Sequence, residues 1–288
     1  MIVIAMTSTP ELDDQHWMRL ALQLAAKGQG HVEPNPMVGC VLVKDGQCIA
    51  QGYHHRFGGP HAEVDALQSL RSADDAAGAT VYVTLEPCCH VGKTPPCSLA
   101  LIDAQCSRVV IAMRDPFPSV DGGGIAQLRD AGIEVTVDVL RDDAKRLNAP
   151  YLKRLGSGVP WVIAKWAMTI DGRIATRKGE SQWITGPSSR IQVHRLRGRV
   201  DAILVGAGTV IADDPMLNSR LSDDETGSPG SPRIAKRVVL CRNRLPPLSS
   251  KLIRTAAELD TWLMASPAVD SAELRRLEDA GASVIRLE

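Results

Sequence analysis

Strand-prone and helix-periodic runs alternate along the first half of the chain, which restricts it to an α/β architecture with a sheet between helices. In "DDQHWMRLALQLAAKGQG", Trp17, Leu20, Ala21 and Leu24 share one helical face; Asp13 or Asp14 can cap its start and Lys27-Gly28 marks its end. Two β-prone runs, "MVGCVLV" and "QCIAQGYHH", flank Lys44-Asp45-Gly46, a hairpin signal. "HAEVDALQSLRS" then reads as a helix and "ATVYVTLEPCC" as a strand ending in a Pro-Cys turn. "SLALIDAQC" is helical, "RVVIAMRDP" a strand, "GIAQLRDAG" helical and "IEVTVDVL" a strand.

"RDDAKRLNAPYLKRLGSG" is a polar helix and linker, punctuated by Asn148-Ala149-Pro150 and Gly156-Ser157-Gly158. A length of 288 residues suits one large domain or two ordinary ones, and this punctuation divides it into domains over 1–150 and 151–288. The second part opens with an expected strand, "PWVIAKWAMTIDG", and an expected helix, "PSSRIQVHRLRGRV". "DAILVGAGTVIADDP" reads as a strand entering a loop and "SDDETGSPGSP" as a polar surface loop. "RVVLCRN" and "TWLMAS" follow as strands, "SAELRRLEDAG" as a helix and "ASVIRLE" as a last strand.

Several function classes are disfavoured by composition. The 33 basic and 33 acidic residues cancel, so nothing draws the chain at long range to nucleic acid or an anionic membrane, although a local basic pocket for one phosphate is compatible with that balance. Aromatic residues make up 3%, too few for a stacking platform for single strands. "MIVIAMTSTPELDD" lacks the basic start of a signal peptide, and no stretch reaches the apolar length of a membrane span. Seven cysteines, with Cys88, Cys89 and Cys97 bunched, read as thiols or metal ligands in a reducing cytoplasm.

Hydrolytic deamination needs a strong nucleophile at neutral pH, which zinc supplies by lowering the pKa of water to about 7. A catalytic zinc takes three protein ligands and leaves one position open, and a carboxylate must carry the proton from the attacking water to the leaving amine. His61-Ala62-Glu63 at a helix start fits a ligand followed by a proton shuttle. Zinc deaminases carry H-x-E followed by P-C-x-x-C. Glu86-Pro87-Cys88 is present, but position 91 is Val91 and the next cysteine after Cys89 is Cys97, with eight residues between it and Cys88. A cysteine opening a helix ionises readily. Cys88 and Cys97 can therefore flank a stiff, cationic loop, "CHVGKTPP", suited to an anionic substrate group, with Cys89 facing away from the metal.

"NPMVGC", "GYHHRFGGPHAE", "TLEPCCHVGKTPPC" and "VVIAMRDPFPSVDGGGI", together with "AKWAMTIDGRIA", "GESQWITGP" and "ILVGAGTVIADDPMLNSR", closely resemble the bifunctional deaminase/reductase family of riboflavin biosynthesis, from about Gln15 onward. The long loop between the cysteines separates that family from cytidine and tRNA adenosine deaminases. The resemblance implies a cytidine-deaminase-like three-layer α/β/α domain followed by a partial dihydrofolate-reductase-like α/β domain. It implies removal of ammonia from 2,5-diamino-6-ribosylamino-4(3H)-pyrimidinone 5′-phosphate, with His61, Cys88 and Cys97 on Zn2+ and Glu63 as catalytic shuttle. Asn35, His54, His90, Lys93 and Thr94 would line that substrate's pocket; Lys93 and Thr94 also suit a phosphate on chemical grounds. Gly122 and Gly124 read as turn glycines.

In the second domain the resemblance implies NADPH-dependent reduction of the ribosyl group. Ala167, Trp183, Thr209 and Asp213 match cofactor positions; Ser181, Arg197, Leu217 and Arg220 match substrate positions, with Lys165 beside them. "GAGTVI" is no dinucleotide fingerprint, because Ile211 stands where the third glycine belongs. Cys241-Arg242 replaces the family's Asp-Ser pair, and Arg242 can either reach a 2′-phosphate or block the cofactor's seat. The family's reductase continues into a glycine-rich turn and closing strands beyond Glu288, so an active deaminase with an impaired reductase is expected. A homo-oligomer acting on a small phosphorylated pyrimidine in the cytoplasm is expected, with no nucleic-acid or membrane partner. Two alternatives are a deaminase of another base or nucleotide, which would not need Lys93 or Thr94, and a non-catalytic zinc-stabilised binding module, which would not need Glu63.

Overall fold

The computed structural model describes residues 13–90, 95–221 and 233–288. The chain divides into two compact units, Met1–Ile163 and Ala164–Glu288. In the first, α1 (Asp14–Ala26) leads into strands β1 (Gly39–Lys44) and β2 (Gln47–Tyr53). Asp45 and Gly46 both take positive φ at the hairpin turn, the geometry that matches the twist of paired strands. Helix α2 (Ala62–Gln68), strand β3 (Thr80–Val83), α3 (Cys97–Asp103), β4 (Arg108–Ile111), α4 (Gly123–Asp130) and β5 (Glu134–Thr136) follow. The five strands lie in the order β2-β1-β3-β4-β5, antiparallel across β2-β1-β3 and parallel from β3 to β5.

Strand alternation builds a core on each face of this sheet. Cys40 and Leu42, Val81 and Val83, and Val109 and Ile111 pack on one side with Ala62 and Ala66 of α2, Leu101 of α3 and Leu128 of α4. Val41, Val43, Tyr82 and Val110 pack on the other with Trp17, Met18, Ala21 and Leu24 of α1. The result is a three-layer α/β/α unit.

Two helices, α5 (Arg141–Leu147) and α6 (Ala149–Ser157), occupy the stretch read as one helix and linker. Both belong to the first unit. Ala144 of α5 and Leu152 of α6 pack in the α1-side cluster, and buried Asn148 exchanges hydrogen bonds of 2.8 and 2.9 Å with the backbone of Met37. The first compact unit therefore extends beyond position 150.

The second unit carries α7 (Pro187–Arg197), β6 (Ala202–Gly206), α8 (Ala207–Asp213), β7 (Lys236–Cys241), β8 (Thr261–Ala265) and β9 (Ser283–Arg286). Its four strands are parallel in the order β6-β7-β8-β9, covered by α8 and the helices Lys251–Arg254 and Ser271–Asp279. Buried Arg237 donates hydrogen bonds to the carbonyls of Leu252, Thr255 and Leu259 and to the hydroxyls of Thr255 and Thr261.

Three expectations change. "PWVIAKWAMTIDG" forms no strand: its β-prone side chains pair with no strand among the described residues, and Trp166 and Ile170 are exposed. Strand preference is realised only against a partner. "DAILVGAGTVIADDP" turns directly from β6 into α8 rather than into a loop, and "IEVTVDVL" shortens to Glu134–Thr136. The surface loop "SDDETGSPGSP" lies outside the described residues.

Candidate active site

His61 is the N-cap residue of α2, with Glu63 in the first turn. The helix lies against β2 because Gly52 has no side chain: a Cβ there would meet the Ala66 nitrogen at 2.3 Å and the Ala62 carbonyl oxygen at 2.5 Å. Cys88 follows β3, and Cys97 is the first residue of α3 and fully buried. The His61 Nδ1 lies 3.6 Å from the Cys88 Sγ and 3.3 Å from the Cys97 Sγ, and the Cys97 backbone N–H donates to the Cys88 Sγ at 3.3 Å. The three donor atoms all lie within 4.8 Å of one another.

Zinc fits this set. Zn–S of about 2.3 Å and Zn–N of about 2.0–2.1 Å at tetrahedral angles place the donors roughly 3.5–3.8 Å apart. The Cys88 thiol is held well below the ordinary thiol range, first by a hydrogen bond from Cys97 and also by one with His61; Cys97, as the donor and deeply buried, is pushed up. Such a thiolate is suited to ligate a metal, which would displace the remaining thiol proton on binding.

Glu63 is 3% exposed. Burial, and then the negative charge on Cys88, raise its carboxyl to about 7. That value suits a group that both takes and gives a proton near neutrality. His54 stands beside the cluster, its ring centroid 5.5 Å from that of His61 and edge-on to it. The Pro60 carbonyl, 2.8 Å from His54 Nδ1, can only accept, so Nδ1 carries the proton. Nε2 is then free to accept from the Asn35 amide at 3.3 Å. Burial lowers the His54 pKa, in keeping with this neutral tautomer.

These groups open into a cavity of about 570 Å3, which Asn35, His54, His61, Glu63, Cys88 and His90 all line. Lys93 and Thr94 lie outside the described residues. Cys89 points elsewhere, its Sγ 3.4 Å from the Ser119 carbonyl oxygen.

Several cavity residues carry no signature in a linear reading. Asp115, just past β4, accepts from the Phe117 N–H at 3.0 Å and from the Tyr151 hydroxyl at 2.9 Å, and burial raises its carboxyl. Tyr151, Arg154 and Leu155 reach the cavity from α6, at the i, i+3, i+4 spacing that shares one helix face. Both phenylalanines of the chain, Phe57 and Phe117, line it too. Glu86, which precedes the ligand loop, accepts from the N–H groups of Asp115, Gly122 and Ile125 at 3.3, 3.1 and 3.1 Å. Gly122 takes φ +93, and a Cβ on Gly124 would lie 2.0 Å from the Pro87 carbonyl oxygen, so both are dictated by the turn and by close approach.

In the second unit the Ser181 hydroxyl donates to Asp213 at 3.2 Å, and the Arg190 guanidinium sits 4.5 Å over the Trp183 ring. Thr209 lies in the first turn of α8. Ala167 and Trp183 stand on irregular backbone, with Trp183 71% exposed. Leu217 is buried in the core rather than facing an open site. The Arg220 N–H donates to His194 Nδ1 at 3.3 Å, and burial followed by the charge of Arg220 lowers the Arg197 pKa. Cys241 is a core residue; Arg242 is exposed.

Comparison with known proteins covers both units. The family described as the cytidine and deoxycytidylate deaminase zinc-binding region matches residues 12–113, and the RibD C-terminal domain matches residues 160–288. The riboflavin biosynthesis protein RibD of Actinobacillus pleuropneumoniae is 43% identical over 277 residues, covering 95% of this chain and 70% of that protein. The protein of the same description from Escherichia coli is 49% identical over 212 residues, 74% of this chain and 57% of that one. Among solved structures, Acinetobacter baumannii RibD matches with a TM-score of 0.78 at 42% identity, covering 96% of this chain and 74% of that chain. A Thermotoga maritima diaminohydroxyphosphoribosylaminopyrimidine deaminase/5-amino-6-(5-phosphoribosylamino)uracil reductase matches with a TM-score of 0.78 at 38% identity, covering 95% and 80%.

Proposed function

The chain belongs to the family of the riboflavin biosynthesis protein RibD, and from that premise we propose that its first unit deaminates 2,5-diamino-6-ribosylamino-4(3H)-pyrimidinone 5′-phosphate. The observation that carries this reading is the convergence of His61, Cys88 and Cys97 beside the buried carboxyl of Glu63, in one cavity. His61, Cys88 and Cys97 would hold zinc, which supplies Lewis acidity that makes water nucleophilic near neutral pH.

The remaining chemistry falls to the chain's own groups. Water would add across the ring C=N bond: its oxygen bonds to the carbon bearing the exocyclic amine, and Glu63 takes its first proton and passes it to the ring nitrogen. Glu63 then carries the remaining hydroxyl proton to the amine, the C–N bond breaks, ammonia leaves and the carbon is left as a carbonyl. A pKa of about 7 lets Glu63 serve in both directions. Asn35 and His54, locked together by their hydrogen bond, are proposed to orient the ring, with His90, Lys93 and Thr94 toward the ribose phosphate. The alternatives are weaker, since a binding module has no use for a buried carboxyl beside the donor cluster.

For the second unit we propose reduction of the ribosyl group of the deaminated product by NADPH. Ala167, Trp183, Thr209 and Asp213 would contact the cofactor, and Ser181, Arg197 and Arg220 the substrate. Support comes from Arg197, partly buried and opposed by the charge of exposed Arg220, a repulsion that a phosphate would relieve.

The seven free thiols support a cytoplasmic setting; no described helix is long and apolar enough to cross a membrane. Exposed Trp166, Ile170, Ile174 and Trp183 support self-association. The proposal is tested by incubating the purified, zinc-loaded chain with the phosphorylated diaminopyrimidine and measuring ammonia release and NADPH oxidation separately. Ammonia release is expected; cytidine or deoxycytidylate turning over faster than this compound would refute the substrate assignment.

A further inference from the structure

The described walls of the deaminase cavity are acidic at depth and almost devoid of positive charge. Glu63, Glu86 and Asp115 line it, and Arg154 is the one lysine or arginine among its described lining residues. Arg154 sits in the last turn of α6, exposed to solvent, and its guanidinium makes no ion pair with a described carboxylate. The cavity-facing side of its helix is anchored. Tyr151, one turn earlier, donates to the buried Asp115 at 2.9 Å, and Leu152 packs into the α1-side core. An exposed cation on a pinned helix, at the rim of a cavity whose floor carries carboxyl groups, suits a ligand with an uncharged ring and an anionic tail. The ring can go down to Glu63 while the tail stays out at the rim.

We propose that Arg154 is a specificity-determining residue of the deaminase site, receiving the phosphate of the substrate through its guanidinium fork. This rests on the deaminase reading above and adds a partner for the phosphate from a segment beyond the zinc-binding region. A phosphate next to Arg154 gains charge-assisted hydrogen bonds that a neutral ribose cannot make. Without Arg154 the same phosphate meets no lysine or arginine among the described lining residues. A competing role is purely structural: a cation in the last turn of a helix favours the helix dipole.

The test compares ammonia release from the phosphorylated diaminopyrimidine and from its dephosphorylated counterpart, for the full chain and for Arg154→Ala and Arg154→Lys. Arg154→Ala is expected to lower the kcat/KM preference for the phosphorylated compound about 10- to 100-fold, the loss lying in KM, and Arg154→Lys is expected to recover part of it. An unchanged preference, or an equal loss on both compounds, overturns the proposal. Should the unsubstituted chain deaminate neither compound, the deaminase reading fails, and calorimetric titration with the phosphorylated compound decides about Arg154 independently. Binding weakened by at least about tenfold in Arg154→Ala sustains it; equal binding, or none by the unsubstituted chain, overturns it.

Discussion

Replacing Gly52 by alanine tests whether the seat of α2 sets the active-site geometry. The added Cβ would lie 2.3 Å from the Ala66 nitrogen and 2.5 Å from the Ala62 carbonyl oxygen, both backbone atoms that cannot swing aside. Carbon contacts relax at about 3.5–4.0 Å, so α2 must retreat from β2 by about 1 Å. Overpacking of this kind costs about 1–3 kcal/mol of stability. The functional cost is larger, because the same helix carries Glu63 and is capped by His61. A misplacement of about 1 Å at a reacting centre lowers turnover on the order of 100-fold. Urea denaturation, zinc content and ammonia release are measured on the same preparation. The expected result is a modest fall in unfolding free energy, weaker zinc retention and a loss of turnover far exceeding the unfolded fraction. Wild-type stability and turnover in Gly52→Ala would refute the link between this contact and the site.

Glu86→Ala removes the acceptor for three backbone N–H groups and is expected to destabilise the first unit by about 3 kcal/mol, read by urea denaturation; a change under about 1 kcal/mol would show that water replaces the carboxylate. The hydrogen bonds from Arg108 hold the Asp14 carboxyl below its usual range, at 2.7 and 2.8 Å. A depressed folded-state value means stability that is present above the unfolded pKa of about 3.9 and lost as pH falls below it. With both side chains partly exposed the contribution is at most about 1 kcal/mol. Chemical denaturation between pH 3 and 6 is expected to show that acid slope in the parent chain and a shallower one in Arg108→Ala; identical slopes would contradict it.

The parts of this protein that were legible in sequence are those whose signals are local. The hairpin at Asp45-Gly46 needs positive φ at adjacent positions, and the two cores follow from strand alternation around Leu42, Val81 and Val109. The grouping of His61, Cys88 and Cys97 was readable because His61 caps a helix, Cys97 opens one and Cys88 follows the Glu86-Pro87 turn after β3, where chemistry and local structure coincide. Asp115, Tyr151 and Arg154 were missed because they reach the cavity from the end of β4 and from α6, and nothing within a few residues of each marks that destination. Tyr151 was hidden further by being read as linker, although its helix is held by the Asn148–Met37 bonds across 111 residues. The strand expected over 160–172 failed for the complementary reason: β-prone residues report a preference, and only a hydrogen-bonding neighbour converts it into a strand.

The central claim, that Glu63 moves the proton while His61, Cys88 and Cys97 hold the metal, is tested most directly by Glu63→Gln. Zinc content and ammonia release from the phosphorylated diaminopyrimidine are measured on the same purified protein. The predicted result is zinc retained at the level of the unsubstituted chain with ammonia release reduced at least about 100-fold. Ammonia release within a few-fold of the unsubstituted chain, or zinc lost together with activity, would contradict the account.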